Sequence, residues 1–191
     1  MKQRSNTFLL SAAFKEAMNL EQLQNATALY YQSFKTNKFT IPKKDTLAFM
    51  LFAKRARITF GPYQDITFYE ISNRIYSDLV LLETARLLFG KFHVKSVKLK
   101  LSNHAGDDIA VIDKDNKVII GEAFNTAPTY FQQKMRSDLR KFSDNKKGII
   151  AFNKTALLGH ENWFQGKKSQ FPNITFILCE DENINSLTNG L

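Results

Sequence analysis

Residues 107–124 read DDIAVIDKDNKVIIGEAF, and the pattern predicts two short β-strands joined by a tight turn. Residues 108–113 alternate as a strand does and residues 117–124 form a second apolar run, while the DKDNK between them is typical of a turn. Successive side chains of a strand point to opposite faces of the sheet. If the two strands pair as a hairpin, Asp108 therefore lies roughly opposite Glu122 on one face.

Two carboxylates at the same end of neighbouring strands repel each other, and burying both is costly unless a cation lies between them. Mg²⁺ binds one or two carboxylates together with phosphate oxygens and water, so it suits such a pair. A bound ion of this kind activates water and neutralises charge on a phosphoryl oxygen. Asp108 and Glu122 are therefore candidate ligands of Mg²⁺ (or Mn²⁺). The alternative is that acids flank these strands only because strands end at the protein surface.

Helices and strands surround this hairpin in an order that predicts an α/β fold. Residues 66–89 form a long predicted helix whose second half is apolar nearly all round, which indicates burial on more than one face. Further helices are predicted at 7–19, 20–34, 44–57 and 128–142, and further strands at 92–102, 148–152 and 174–179. The last two strands are continuous apolar runs, which favours central positions in a mixed sheet. We expect a sheet of about five strands with helices on both faces.

Basic residues are concentrated at the N-terminus. The chain of 191 residues carries a net charge of +9, and residues 1–60 hold ten Lys or Arg against three acids. We therefore divide the chain into a basic N-terminal helical region, 1–60, and an α/β core, 61–191. Such a charge distribution favours a partner that is a polyanion.

Composition excludes several other classes of protein. A single cysteine, Cys179, rules out an intramolecular disulfide or a multi-cysteine zinc site and suits a reducing compartment. The sequence has no apolar run approaching the roughly 20 residues of a membrane span, so we expect a cytoplasmic protein that does not bind a membrane.

The candidate nucleic-acid contacts are basic side chains at the two ends of the third predicted helix and polar side chains close to the hairpin. They are Lys43, Lys44, Lys54, Arg55, Arg57, Lys100 and His104. Cations at the C-terminal end of a helix also interact favourably with the helix dipole, which is an equally good explanation of Lys54, Arg55 and Arg57.

The order of elements, with Asp108-Ile-Ala-Val followed by Val118-Ile-Ile-Gly-Glu122, resembles the restriction-endonuclease-like superfamily, known by its PD-(D/E)XK motif. The resemblance covers roughly residues 66–180, and Asp107 stands at the proline position of the motif. It implies that Asp108 and Glu122 hold Mg²⁺. It also implies a lysine two residues after the glutamate that assists the attacking water, and often an acid from the preceding helix.

The lysine position of the motif is occupied by Phe124, which cannot orient or deprotonate water. Some members of the superfamily place the lysine elsewhere, commonly on the next helix. Lys134 lies on that predicted helix, and Lys100, on the strand before Asp108, is a second candidate. Both are also explained as ordinary solvated lysines.

The helix acid is either Glu83 or Glu70. Glu83 interrupts an apolar run, where an unpaired carboxylate is expensive. Ion pairs with Arg86 at i+3 and with Arg74 at i+4 explain the two acids equally well without a metal.

Three hypotheses follow. The first is a Mg²⁺-dependent nuclease that hydrolyses DNA, for which Asp108, Glu122, Lys134 and Glu83 are the catalytic candidates and Glu70 a further metal ligand. The second is a catalytically inactive DNA-binding or assembly module on the same fold. The third is a protein-interaction scaffold. The sequence does not separate DNA from RNA, and cleavage of a duplex would often call for a homodimer.

Overall fold

The computed structural model describes residues 7–36, 45–102, 106–142 and 146–180. The helices are α1 (Leu20–Thr36), α2 (Thr46–Arg55), α3 (Phe68–Lys91), α4 (Pro128–Leu139) and α5 (Glu161–Gln170). The strands are β1 (Arg57–Phe60), β2 (Tyr63–Thr67), β3 (Val94–Leu99), β4 (Ile109–Asp113), β5 (Val118–Phe124), β6 (Gly148–Asn153) and β7 (Ile174–Cys179). Short 3₁₀ turns follow α4 at Arg140–Phe142 and β6 at Lys154–Leu157.

A five-stranded mixed sheet in the order β3-β4-β5-β6-β7 forms the centre of the fold. Strands β3, β4 and β5 are an antiparallel meander, whereas β6 and β7 run parallel to β5 and to each other. Parallel neighbours need crossover connections, which α4 and α5 provide. The predicted mixed α/β sheet with flanking helices is therefore confirmed.

Helices cover the two faces of this sheet. Buried residues of α1 and α3 share one hydrophobic cluster with Val97, Ile109 and Ala123. The opposite face carries a second cluster in which Phe124, Ile150 and Phe152 pack against α4 and α5. Because side chains alternate along a strand, odd-numbered residues of β5 face α3 and even-numbered residues face α4.

The prediction that both apolar strands are central is correct for β6 and wrong for β7. Strand β6 lies between β5 and β7 and is buried throughout, but β7 forms an edge of the sheet. Only Ile174, Ile177 and Cys179 of β7 are fully buried. A continuous apolar run is thus compatible with an edge strand whose two faces are only partly covered.

The N-terminal third departs most from the prediction. Residues 7–19 are turns rather than a helix, and they are held by isolated β-bridges from Phe8 to Tyr63 and from Met18 to Val97. The predicted helix 44–57 is the shorter α2, and its end leads into an antiparallel hairpin of β1 and β2 that was not predicted. Gly61, at φ +56°, forms the turn of that hairpin, so Gly61-Pro62 reverses the chain between paired strands.

The N-terminal segment also contributes to the core, since Phe8, Met18 and Tyr30 belong to the hydrophobic cluster on the face of the sheet covered by α3.

Among the residues that the structure describes, no helix combines the length and apolar character that a bilayer crossing requires.

Candidate functional site

Asp108 and Glu122 meet on the predicted hairpin. Strand β4 pairs with β5 in the register Ile109 to Gly121, which sets the next pair, Asp108 and Glu122, side by side. The backbone N–H of Asp108 donates to the Gly121 carbonyl at 3.1 Å, and Asp108 Oδ2 accepts a hydrogen bond from the N–H of Ala123 at 3.0 Å. Both carboxylates lie on the face of the sheet that carries α4.

Glu122 is buried, with 2% of its surface exposed. Its Oε2 accepts from the ammonium group of Lys141 at 2.6 Å, and Lys141 lies in the 3₁₀ turn that follows α4. The other oxygen, Oε1, is buried and has no hydrogen-bond partner. One oxygen of this carboxylate is therefore paired with a lysine, and the other has no hydrogen-bond donor.

A second carboxylate–lysine pair lies beside the first. Asp138, 1% exposed on α4, accepts from Lys134 Nζ at 2.9 Å through Oδ1, while its Oδ2 is buried without a partner. Lys134 Nζ also lies 5.4 Å from the centroid of the Phe124 ring. A lysine of α4 thus stands above the strand position at which the PD-(D/E)XK motif has its lysine, and the contact with the ring is a favourable cation–π interaction.

Phe124 itself belongs to the core. Its ring stacks on Phe152, with centroids 5.6 Å apart, and lies 6.5 Å from Phe131 of α4. The aromatic side chain therefore holds α4 against the sheet, which a lysine at this position would not do.

Burial dominates the electrostatics of Asp108. It raises the pKa of Asp108, against the opposing effects of the Ala123 N–H and of the positive charges of Lys134 and Lys141; the charge of Asp138 raises it further. Asp108 is therefore close enough to α4 to interact with the acid and the two lysines there.

In both members of the Glu122–Lys141 ion pair, burial and the charged partner act on the pKa in opposite directions. Burial raises the pKa of Glu122; the hydrogen bond from Lys141 lowers it, and the charges of Asp108 and Asp138 raise it. Burial acts to lower the pKa of Lys141, but Glu122, Asp138 and Asp108 outweigh this effect, so the pKa lies above its ordinary value. The carboxylates form one interacting group.

We call the three acids Asp108, Glu122 and Asp138 and the two lysines Lys134 and Lys141 the α4-side cluster. With every group ionised its net charge is −1, and two buried carboxylate oxygens lack a donor. Oxygen donors of this kind fit Mg²⁺. Within the described ranges, however, no three His, Cys, Asp or Glu side chains are already gathered to hold a metal ion together. Binding would require the ion pairs with Lys134 and Lys141 to open.

The acids proposed on α3 are not brought to this cluster. Glu83 is fully buried and receives two hydrogen bonds from Arg86, at 2.6 and 2.7 Å, within the α3-side core. Glu70, in the first turn of α3, pairs with Arg74 at 2.5 Å. Both ion pairs expected from the sequence are present. Because α3 packs on the face of the sheet opposite α4, it directs Glu83 away from Glu122.

The basic candidates are dispersed. Lys54 and Arg55 are exposed at the end of α2, which packs chiefly against α3 and β2, and Arg57 is bound to Asp65 at 2.9 Å. Lys100 is nearer the cluster, since its backbone N–H donates to the Asp108 carbonyl at 2.9 Å. The remaining candidates, Lys43, Lys44 and His104, lie outside the described residues.

Asp138 and Lys141 were missed by the sequence analysis. Asp138 stands seven residues after Phe131 and three after Met135, on the apolar stripe of α4, where an acid is as unusual as Glu83 is on α3. That signal was available. The position of Lys141 depends on how the turn after α4 packs, which no local pattern reveals.

Comparison of the chain with models of protein families finds no match, and comparisons with curated proteins and with solved structures find none either. The resemblance to the PD-(D/E)XK superfamily therefore rests on the order of the elements and on Asp108 and Glu122.

Proposed function

We propose that this protein is a Mg²⁺-dependent nuclease of the restriction-endonuclease-like superfamily that hydrolyses DNA phosphodiester bonds. The observation that carries the proposal is the pair of carboxylates immediately before β4 and near the end of β5: the half-buried Asp108 lies beside the buried Glu122, one oxygen of which has no donor. Buried carboxylate oxygens are normally hydrogen-bonded, so an open one favours a cation ligand.

The topology supports the same proposal. The resemblance rests on the order helix, three-strand meander, helix, strand, and this is the order of α3 to β6. The two acids of the motif fall immediately before β4 and near the end of β5.

Asp108 and Glu122 would hold Mg²⁺, which supplies water activation and neutralises charge on the phosphate. Lys134 replaces the lysine of the motif: it reaches the space over Phe124 from α4 and donates hydrogen bonds to the attacking water or to a phosphate oxygen. Lys100, whose backbone N–H is hydrogen-bonded to the Asp108 carbonyl, would contact the DNA backbone beside the site.

The test is plasmid cleavage by the purified protein with Mg²⁺ or Mn²⁺. We expect Asp108→Asn and Glu122→Gln to abolish cleavage, because each removes a metal ligand. Asp115→Asn is the matched control, since Asp115 lies in the turn at the far end of the same hairpin and is exposed. Equal cleavage by wild type and Asp108→Asn would identify a contaminating nuclease and contradict the proposal.

A catalytically inactive DNA-binding module is the second candidate. Phe124 at the lysine position favours it. Gel retardation at increasing salt distinguishes the two, since phosphate contacts make the affinity fall steeply with salt. Steeply salt-dependent binding without cleavage supports the inactive module; a lack of DNA binding leaves the protein-interaction scaffold.

A further inference from the structure

We infer that Asp138 of α4 supplies the third carboxylate of the metal site, in the place that the resemblance gives to an acid from the preceding helix. This inference rests on the proposed function. It names a ligand that lies outside the strand motif and that neither Glu83 nor Glu70 of α3 replaces.

The first argument is the rarity of open carboxylate oxygens. Four buried side-chain nitrogen or oxygen atoms in the described ranges lack a hydrogen-bond partner, and they belong to Tyr31, Arg74, Glu122 and Asp138. The two that are carboxylate oxygens both lie in the α4-side cluster. A buried, unpartnered oxygen is expensive, and one cation that binds both oxygens would remove both penalties.

The second argument is charge. Glu122 and Asp138 are almost fully buried, with 2% and 1% of their surfaces exposed, and each is paired with one lysine. Lys134 and Lys141 compensate two of the three negative charges. A cluster with two buried acids and a residual negative charge attracts a cation, and a divalent ion surrounded by oxygens provides the compensation.

The third argument concerns the lysines. Each lysine binds only one oxygen of its carboxylate, and the side chains of Lys134 and Lys141 are 40% and 48% exposed. Their ammonium groups can therefore turn into solvent when a metal ion binds, while the acids remain buried. Both lysines then lie beside the site with free donors for phosphate oxygens. This exchange accounts for the lack of a preassembled three-ligand group in the described ranges.

The acid on α3 does not offer the same chemistry. Both oxygens of Glu83 are bound by Arg86 in a two-pronged ion pair, so neither is open. Fork-shaped pairs of arginine with a carboxylate are among the stronger side-chain hydrogen bonds. Glu83→Gln is therefore a matched control for Asp138→Asn, because each changes a buried acid that is paired with a cation on its own helix.

The test measures Mn²⁺ binding to the full-length protein by electron paramagnetic resonance, with the unfolding temperature of the metal-free protein recorded in parallel. We expect Asp138→Asn to weaken Mn²⁺ binding by at least about tenfold, since even residues that only support a ligand cost 10–100-fold. Asp108→Asn and Glu122→Gln should weaken it similarly, and Glu83→Gln should leave it unchanged.

Lys134→Met provides a second readout that does not remove an acid. It takes away the ammonium group that competes for Asp138, so Mn²⁺ should bind severalfold more tightly while DNA cleavage falls. A purely structural Lys134–Asp138 pair would instead make both variants less stable without changing their affinity for Mn²⁺.

The outcomes separate this inference from the proposed function. Wild-type affinity in Asp138→Asn, with binding lost in Asp108→Asn and Glu122→Gln, overturns the role of Asp138 and leaves the nuclease proposal intact. Unchanged affinity in Lys134→Met also overturns it, even if Asp138→Asn does not fold. A wild-type protein that binds no Mn²⁺ overturns both.

Discussion

Replacing Asp78 with asparagine should change how the stability of this protein depends on pH. Asp78, buried on α3, accepts hydrogen bonds from the Tyr63 hydroxyl and, at 2.7 Å, from the backbone N–H of Ser102. It thereby connects β2 to the segment that leads from β3 towards Asp108. Burial raises the pKa of Asp78 from 3.8 to about 7, although the two hydrogen bonds and the charge of Arg74 act to lower it.

The sign and size of the effect follow from this pKa. The folded protein holds the Asp78 proton more tightly than the unfolded chain does, so the contribution to stability is complete below 3.8 and is lost as pH rises through about 7. The interval is close to three pH units, and roughly 1.36 kcal/mol per unit gives about 4 kcal/mol. The wild type therefore loses about 4 kcal/mol relative to Asp78→Asn between pH 4 and pH 8.

Urea denaturation followed by the fluorescence of Trp163 measures this difference at a series of pH values. Burial also raises the pKa of Asp108 and Glu122, which contribute with the same sign, so the quantity to compare is wild type minus Asp78→Asn rather than the wild type alone. A difference in unfolding free energy that stays constant between pH 4 and pH 8 would refute the reasoning. Asp115→Asn, which changes an exposed acid, serves as the control.

Truncation of the fully buried Phe152 to alanine should lower the unfolding free energy by about 3–5 kcal/mol in urea denaturation, and a loss below about 1 kcal/mol would contradict its place in the core. Gly121→Ala should cost about 1–3 kcal/mol, because a Cβ there would lie 2.7–2.9 Å from atoms of β4 and β6. Gly166→Ala, where a Cβ meets nothing within 4 Å in α5, should instead stabilise by up to about 1 kcal/mol; the same sign for both substitutions would be inconsistent with this explanation. Lys141→Met should raise the pKa of Glu122 further, since it removes the ammonium that lowers it, and an unchanged NMR titration of Glu122 would argue against the ion pair.

The sheet and its hairpin were predictable because their signals are local. Residues 174–179 and the predicted strand 148–152 correspond closely to β7 and β6, and α4 begins at Pro128 as expected. The position of Asp108 beside Glu122 follows from alternation along two strands and from the DKDNK turn between them.

The N-terminal segment could not be predicted in the same way. Residues 7–19 have a composition that suits a helix, but Phe8 and Met18 are held by bridges to Tyr63 and Val97, which are distant in sequence. Contacts of this kind override local preference and leave no periodic pattern. The hairpin of β1 and β2 was not predicted, because Gly61-Pro62 is as typical of a break between elements as of a turn and the two strands span only four and five residues.

The candidate site was predicted in part for a related reason. Its strand residues follow from the motif and Lys134 was proposed on the next helix, whereas Asp138 and Lys141 reach the site only because α4 packs across β5. Their convergence depends on the distance and tilt of a helix over a sheet, and these are set by aromatic packing.

The stacking of Phe124 on Phe152 under α4 has a consequence for how the cluster is adjusted. The carboxylates of Asp108 and Glu122 are positioned by the sheet, whereas the amines of Lys134 and Lys141 are positioned by α4 and the turn that follows it. The distances between these carboxylates and amines therefore depend on how α4 packs on the sheet. A substitution deep in the phenylalanine layer, such as one at Phe131, would therefore shift both amines and Asp138 relative to Asp108 and Glu122 without altering any charged residue.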